Sequence, residues 1–126
     1  MSHLVSITVE LDSMDAVAQA LEEMGYEVRR EQHTLSAFGW KMNCDLSIKK
    51  NGKQLMVGFK QNEDGSIASE ADWYGSGINR DKFTKELTQL HAKHKTVNAL
   101  NKRRWKVGEF VKQADGSLKA TARRWG

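Results

Sequence analysis

The chain has 126 residues, a formal net charge of +4 and a single cysteine, Cys44. This length suits one domain, 1–126, with a core that needs no cross-link to be stable. A lone cysteine excludes an internal disulfide and a cysteine cluster for zinc, which fits a reducing compartment. No apolar run approaches the roughly 18 residues of a membrane span, and no signal-peptide core opens the chain. We therefore expect a soluble protein of the cytoplasm or an organelle lumen, with no membrane partner.

The positive charge is concentrated at one end of the chain. Residues 101–126 contain eight basic and two acidic residues, a net charge of +6, which leaves −2 for residues 1–100. A basic end on a nearly neutral body suggests an acidic protein partner, nucleic acid, or simply a solvated face.

The first thirty residues predict a strand, a helix and a returning strand. Residues 4–11 alternate apolar and polar side chains, which is typical of a half-buried strand. Asp12 and Ser13 are both suitable helix N-caps, and Gly25 supplies a left-handed stop. The apolar residues between them recur at helical spacing, and residues 26–30 read as the next strand.

The middle of the chain predicts an antiparallel meander. Two alternating runs flank Asn51-Gly52, the favoured dipeptide of a two-residue hairpin. A second turn at Asp64-Gly65 leads into another strand. Residues 31–42 contain aromatic residues but show no period, so we expect a loop or a short strand there.

The last third predicts one long helix and a hairpin. Asn79 caps the helix, which has one apolar stripe, and a turn at Asp115-Gly116 joins the final two strands. The stripe residues follow steps of 4, 3 and 7: Phe83, Leu87, Leu90 and Val97.

These elements together predict an α+β fold. Each helix has one apolar stripe and most strands have one apolar face, so two layers follow: an antiparallel sheet with both helices packed on one face. A ferredoxin-like arrangement of two βαββ-like halves is one topology compatible with this order.

Several segments resemble a single family. The segments are Met1-Ser2-His3, ALEEMGYEV at 20–28, ADWYG at 71–75, QLHAKHK at 89–95 and DGSLKATARRW at 115–125. They resemble small uncharacterised proteins, with a domain of unknown function, typified by a hypothetical open reading frame of algal plastid genomes and its cyanobacterial counterparts. The resemblance implies a source in a cyanobacterium, a plastid or a phage of such a host, and a location in the cytoplasm or plastid stroma.

The chain departs from this family pattern at two places. Trp73-Tyr74 stands where the family favours two tryptophans, and His91 stands where it tends to tyrosine. The resemblance carries no established activity, so it transfers no catalytic residue to this chain.

Two histidines are weak candidates for metal ligands. His91 and His94 stand three residues apart on the predicted helix, close enough to chelate, and His3 or Asp72 could join them. A zinc site needs three or four ligands held by further hydrogen bonds, so core or boundary histidines are the simpler interpretation. We expect no metal and no cofactor.

An acid–base site would have to use Glu70 and Asp72. They are two apart on a strand and point the same way, so in a concave site one pKa would rise and supply a general acid. On a solvated face they are solubilising charges. Cys44 lies beside Asp45 with no adjacent cation, which raises a thiol pKa rather than activating it. No catalytic motif occurs, so a carboxylate-based enzyme is the third of three hypotheses.

The leading hypothesis is a non-enzymatic binding module that contacts a protein partner, and the alternative is an RNA- or single-stranded-DNA-binding protein. Both use a basic, aromatic C-terminal hairpin, unless its aromatics only anchor the core and its charges only aid solubility. An aromatic corner before the long helix is a further candidate contact, unless its tryptophan packs inward, and an exposed last strand could pair two copies into a homodimer. The hairpin candidates are Arg103, Arg104, Trp105, Lys106, Phe110, Arg123, Arg124 and Trp125, and the corner candidates are Asp72, Trp73 and Tyr74.

Overall fold

A five-stranded antiparallel sheet forms one layer of the protein, and two helices form the other. The computed structural model describes residues 4–37, 40–103, 105–108, 110–114, 117–120 and 122–124. The elements of the sheet layer and its helices are β1 (Leu4–Leu11), α1 (Met14–Glu23), β2 (Glu27–Ala37), β3 (Trp40–Lys50), β4 (Lys53–Gln61), β5 (Ile67–Asp72), a short α2 (Trp73–Ser76) and α3 (Arg80–Lys102). The C-terminal part adds β6 (Trp105–Val107), β7 (Val111–Lys112), β8 (Leu118–Lys119) and β9 (Ala122–Arg124).

The sheet has the order β1-β5-β4-β3-β2, and each neighbouring pair is antiparallel. The four strands after α1 form a continuous meander, and β1 completes the sheet beside β5. The two βαββ-like halves are not found in the described part of the chain, because four strands rather than two follow α1 and the strands after α3 pair only with one another. The predicted α+β class, with an antiparallel sheet and both helices on one face, is confirmed.

The region predicted as a loop or short strand, residues 31–42, belongs instead to two long strands. β2 continues to Ala37, and β3 begins at Trp40. The pairing register shifts between Arg30 and His33, where two residues of β2 face one residue of β3. Such a bulge inverts the alternation of side chains, which explains why no period is visible in the sequence.

The main core lies between the sheet and the helices. In β4, Leu55, Val57 and Phe59 point into it, together with buried side chains of both helices. By alternation, Met56 and Gly58 belong to the other face of the sheet, where Met56 packs against a small cluster. That cluster consists of Leu35, Met42 and Cys44.

The long helix departs from its predicted stripe. Its fully buried residues are Phe83, Leu87 and His91, in two steps of four, whereas Leu90 and Val97 are only half-buried. The predicted stripe omitted His91 because an imidazole carries no hydrophobic signal. None of the helices in the described part of the chain combines the length and hydrophobicity needed to cross a bilayer.

A histidine stabilises the β2 bulge through a chain of hydrogen bonds. His33 Nδ1 lies 2.5 Å from the carbonyl oxygen of Glu31, which can only accept, so Nδ1 carries the proton. The other ring nitrogen then accepts from the Ser47 hydroxyl at 2.7 Å, and Gln54 Nε2 donates to the same hydroxyl oxygen at 3.3 Å. The Cys44 sulfur lies 3.4 Å from His33 Nε2. Burial and the neighbouring Asp45 raise the pKa of the Cys44 thiol, as the sequence predicts.

Gly58 is required by the close approach of two strands. A β-carbon at this position would lie 2.9 Å from Cβ of Cys44 and 3.0 Å from Sδ of Met42. We expect Gly58→Ala to destabilise the fold by about 1–3 kcal/mol, because overpacking displaces neighbouring side chains. Urea denaturation measures this loss. The control Lys60→Ala, at an exposed position of the same strand, is expected to stay within about 0.5 kcal/mol of the wild type. Equal stabilities of the two variants would contradict the role of Gly58.

Candidate interaction surface at the C-terminal end

The C-terminal strands form two short antiparallel ribbons. In the first ribbon, β6 and β9 place Trp105 opposite Arg124 and Lys106 opposite Arg123. Neither strand contains an acidic residue, so the register brings cationic positions together without an opposite charge. In the second ribbon, Val111 lies opposite Lys119. The strands on the two sides of the predicted final hairpin therefore do pair, in two short sheets rather than one, while the predicted Asp115-Gly116 turn lies outside the described residues.

Not all predicted site residues fall within the described structure. Arg104 and Trp125 lie outside the described residues, as does His3. The side chains of Trp105, Lys106, Arg123, Arg124 and Tyr74 also lie outside them. Their assignment as contact residues stays a prediction.

Four described cationic side chains lie in the C-terminal part of the chain: Lys102 and Arg103 where α3 ends, and Lys112 and Lys119 on the second ribbon. They are exposed, and none of them forms an ion pair with another described residue. Val111 lies opposite Lys119 on the second ribbon. Among the described residues it is the large hydrophobic side chain that is exposed, with 59% of its surface accessible. A single exposed apolar side chain is ordinary on a protein surface, so Val111 matters here only together with the cations beside it. Three of these residues share the second ribbon, and we call them the C-terminal surface: Val111, Lys112 and Lys119.

A groove of about 490 Å³ lies between α3 and the second ribbon. Its helix side is formed by residues that recur in steps of 3 or 4 and so occupy one face of α3. This face differs from the core face that carries Phe83 and Leu87. The lining residues are Gln89, Ala92, Lys93, Thr96, Leu100, Phe110, Ser117, Leu118, Lys119 and Ala120.

Phe110 is held in this groove by a cation. Lys93 Nζ lies 5.3 Å from the centre of the Phe110 ring and 2.9 Å from Glu23 Oε1 on α1. The hydrogen bond from Lys93 lowers the pKa of the Glu23 carboxyl, which favours its ionised form. Phe110 is thus the one predicted hairpin aromatic whose side chain is described, and it is half-buried.

The aromatic corner packs inward at its tryptophan. Trp73 is 9% exposed and its ring centre lies 5.3 Å from that of Phe83, which in turn contacts Tyr26 at 5.8 Å. The buried indole N–H has no hydrogen-bond partner among the described residues. The burial of Trp73 agrees with the interpretation in which this side chain packs inward, and not with the one in which it contacts a partner.

The two strand carboxylates have separate roles. Asp72 is buried and caps α2, because its Oδ1 accepts from the Gly75 N–H at 2.9 Å. A β-carbon at position 75 would lie only 2.5 Å from Asp72 Oδ2, so the cap requires glycine there. Glu70 is half-buried and lines a shallow depression with Lys60 on the sheet face away from the helices. The two carboxylates do not face one site.

His91 is an acceptor inside the fold. It is 4% exposed, and its Nε2 accepts from the backbone N–H groups of Asp12 and Ser13 at 3.4 and 3.2 Å. The Asp12 carboxylate lies 3.6 Å from the same nitrogen and is paired with Lys95 at 2.5 Å. Burial lowers the pKa of His91, so the neutral ring is the folded form.

His94 faces a different partner. Its Nε2 lies 3.3 Å from Glu23 Oε1, without the geometry of a hydrogen bond. The two histidines therefore do not converge. Among the residues that the structure describes, no three His, Cys, Asp or Glu side chains lie close enough to hold a metal ion.

Sequence reasoning missed the groove. Lys93, Leu100 and Leu118 were not candidates, although Gln89, Lys93, Thr96 and Leu100 follow steps of 4, 3 and 4. This spacing places the four residues on a second face of the helix, which is the sequence feature that could have predicted the groove. Its hydrophobic pattern is weak because Leu100 is the only strongly apolar residue of the four.

The fold is that of a small α+β domain, and its C-terminal end is basic and partly apolar. Residues 20–121 match the family described as "Protein of unknown function (DUF1257)". The chain belongs to this family, which confirms the resemblance to a domain of unknown function. No curated protein and no solved structure matches the chain.

The state of His91 predicts a pH dependence of stability. The pKa of His91 in the folded protein lies below the ordinary 6.5. As the pH falls below 6.5, the unfolded chain therefore binds a proton at His91 before the folded chain does. Stability contributed by neutral His91 is thus complete above pH 6.5 and is lost progressively below it. Urea denaturation between pH 7.5 and about pH 5 measures this slope.

His91→Gln is the matched control, because an amide oxygen can accept the same N–H groups but does not titrate. We expect a shallower loss of stability for this variant over the same pH range. Identical slopes for wild type and variant would refute the assignment. Asp12 and Glu23, whose pKa values are lowered, titrate below this window and so do not obscure it.

Proposed function

We propose that this protein is a non-enzymatic binding module that docks an anionic protein partner on its C-terminal surface. The observation that carries the proposal is the exposure of Lys112 and Lys119 beside Val111, with no acidic partner for either cation among the described residues. Opposite charge would attract the partner and set its orientation, and apolar contact would add affinity.

The distribution of charge along the chain supports this surface, since residues 101–126 carry a net charge of +6 and residues 1–100 carry −2. Cations near the start of α1 are neutralised, since Arg30 pairs with Asp15 and Lys95 pairs with Asp12. The cations of the C-terminal surface have no such partners in the part of the chain that the structure describes. The cationic register positions of β6 and β9 add to the same end of the molecule.

Nucleic acid is the alternative partner for the same surface. The net charge of +6 over residues 101–126 favours it, because phosphate contacts dominate such binding. Against it stands Phe110, because Lys93 occupies one face of the ring on which a base would stack. An exposed valine also contributes little to an interface with phosphates.

Charge reversal tests the proposal. The variant Lys112→Glu/Lys119→Glu is expected to weaken binding of a labelled acidic peptide at least about tenfold, because two attractive charges become repulsive. Fluorescence anisotropy at low salt measures the dissociation constant. The control Lys53→Glu/Lys60→Glu makes the same charge change at exposed positions of β4 and is expected to bind like the wild type.

Single-stranded RNA and DNA of the same charge as the peptide complete the experiment. Tighter binding of the oligonucleotides, with affinity falling steeply as salt rises, would move the nucleic-acid alternative to first place. Equal weakening by both double variants would show that only net charge matters, and would overturn the assignment of the surface.

A further inference from the structure

We infer that the groove between α3 and the second C-terminal ribbon receives the apolar anchor side chains of an acidic peptide segment. This inference rests on the proposed function and names the chemistry of its partner. The segment would place apolar side chains in the groove and carboxylates on the surrounding cations.

The floor of the groove is apolar and incompletely covered. Leu100, Phe110 and Leu118 are each half-buried and line it together with two alanines, Ala92 and Ala120. Their remaining accessible surface is available for burial by a partner, which is favourable at about 25 cal/mol per Å² of apolar area. The volume of about 490 Å³ falls in the range of small binding sites.

The groove is also preorganised. Lys93 fixes Phe110 through its position over the ring, and Glu23 fixes Lys93 from α1. A floor held in this way loses little side-chain freedom when a partner binds, so more of the contact energy appears as affinity.

Charge complementarity selects an acidic occupant. Lys119 lies on the groove wall, is exposed and forms no ion pair with a described residue. Lys112, on the strand paired with that of Lys119, adds a second exposed cation to the same ribbon. A cationic segment would be repelled at these two positions, whereas a segment with Asp or Glu beside an apolar residue would contact both the apolar floor and the cations.

The position of Lys93 also argues against a nucleobase in this groove. A base stacked on that face of Phe110 would have to displace the ammonium group from the ring and strain its bond to Glu23. An aliphatic or aromatic side chain can instead enter between Leu100 and Leu118 and leave this arrangement intact.

A display library of peptides with fixed acidic positions and randomised positions between them tests the inference. Selection on the wild-type protein is expected to enrich Leu, Ile, Phe or Trp at the randomised positions. The variant Ala92→Trp fills the groove from an exposed position of α3, and we expect it to lose this enrichment. Peptides selected on the wild type should bind the Ala92→Trp variant at least about tenfold more weakly than they bind the wild type.

Thr88→Trp is the matched control, because it adds the same side chain at an exposed position of α3 that does not line the groove. It should retain both the enrichment and the affinity. Circular dichroism melting of both variants shows whether each is folded, and Ala120→Leu supplies a second filling variant on the ribbon side.

The outcomes separate the two claims. If the selected peptides are acidic but contain no enriched apolar residues, the groove inference is wrong and the proposed function stands. The same conclusion follows if Ala92→Trp leaves peptide binding unchanged while Lys112→Glu/Lys119→Glu weakens it. If no peptide is enriched over selection on the charge-reversed variant, both are overturned. Enrichment of apolar residues that filling abolishes supports the inference.

Discussion

The contact between His91 and the beginning of α1 decides where the long helix lies. A buried imidazole that accepts two backbone N–H groups joins α3 to the β1–α1 connection, where those groups would otherwise lack a partner. Asn98 extends the same interface by donating to Gln19 at 2.8 Å. Since α3 is anchored along α1 in this way, its remaining faces are free to contact the C-terminal strands.

In this position α3 makes contacts through two of its faces. Phe83 and Leu87 point into the core, and the face that includes Lys93 and Leu100 points toward the second ribbon. A helix of this kind has only a weak overall amphipathic pattern, because its second face mixes apolar, polar and cationic residues. The groove is therefore a by-product of how α3 packs rather than of any local motif.

Most of the ion pairs between described residues lie around α1. Asp12, Asp15 and Glu23 on or near α1 each pair with a cation from another element. Exposed pairs of this kind add little stability individually, but they cancel charge around α1. Residues 101–126 contain only two acidic residues against eight basic ones, so most of the positive charge there cannot be cancelled within this segment.

Patterns confined to neighbouring residues were sufficient to predict most elements. The strand at residues 4–11, the Asn51-Gly52 turn and the Asn79 cap all appear in the structure as the sequence indicates. They are predictable because each depends on backbone preferences and hydrogen bonds within a few residues. The β2 bulge was missed, because one extra residue changes which face every following side chain occupies.

The sequence by itself determined the α+β class, the two long helices and the concentration of positive charge beyond residue 100. Only the tertiary structure decided that β1 pairs with β5, that His91 accepts from the β1–α1 connection and that Lys93 covers Phe110. The physical reason is separation along the chain. Residues 13 and 91, or 4 and 72, meet only when the sheet and helices have packed, and no local pattern records which distant partner a side chain will find.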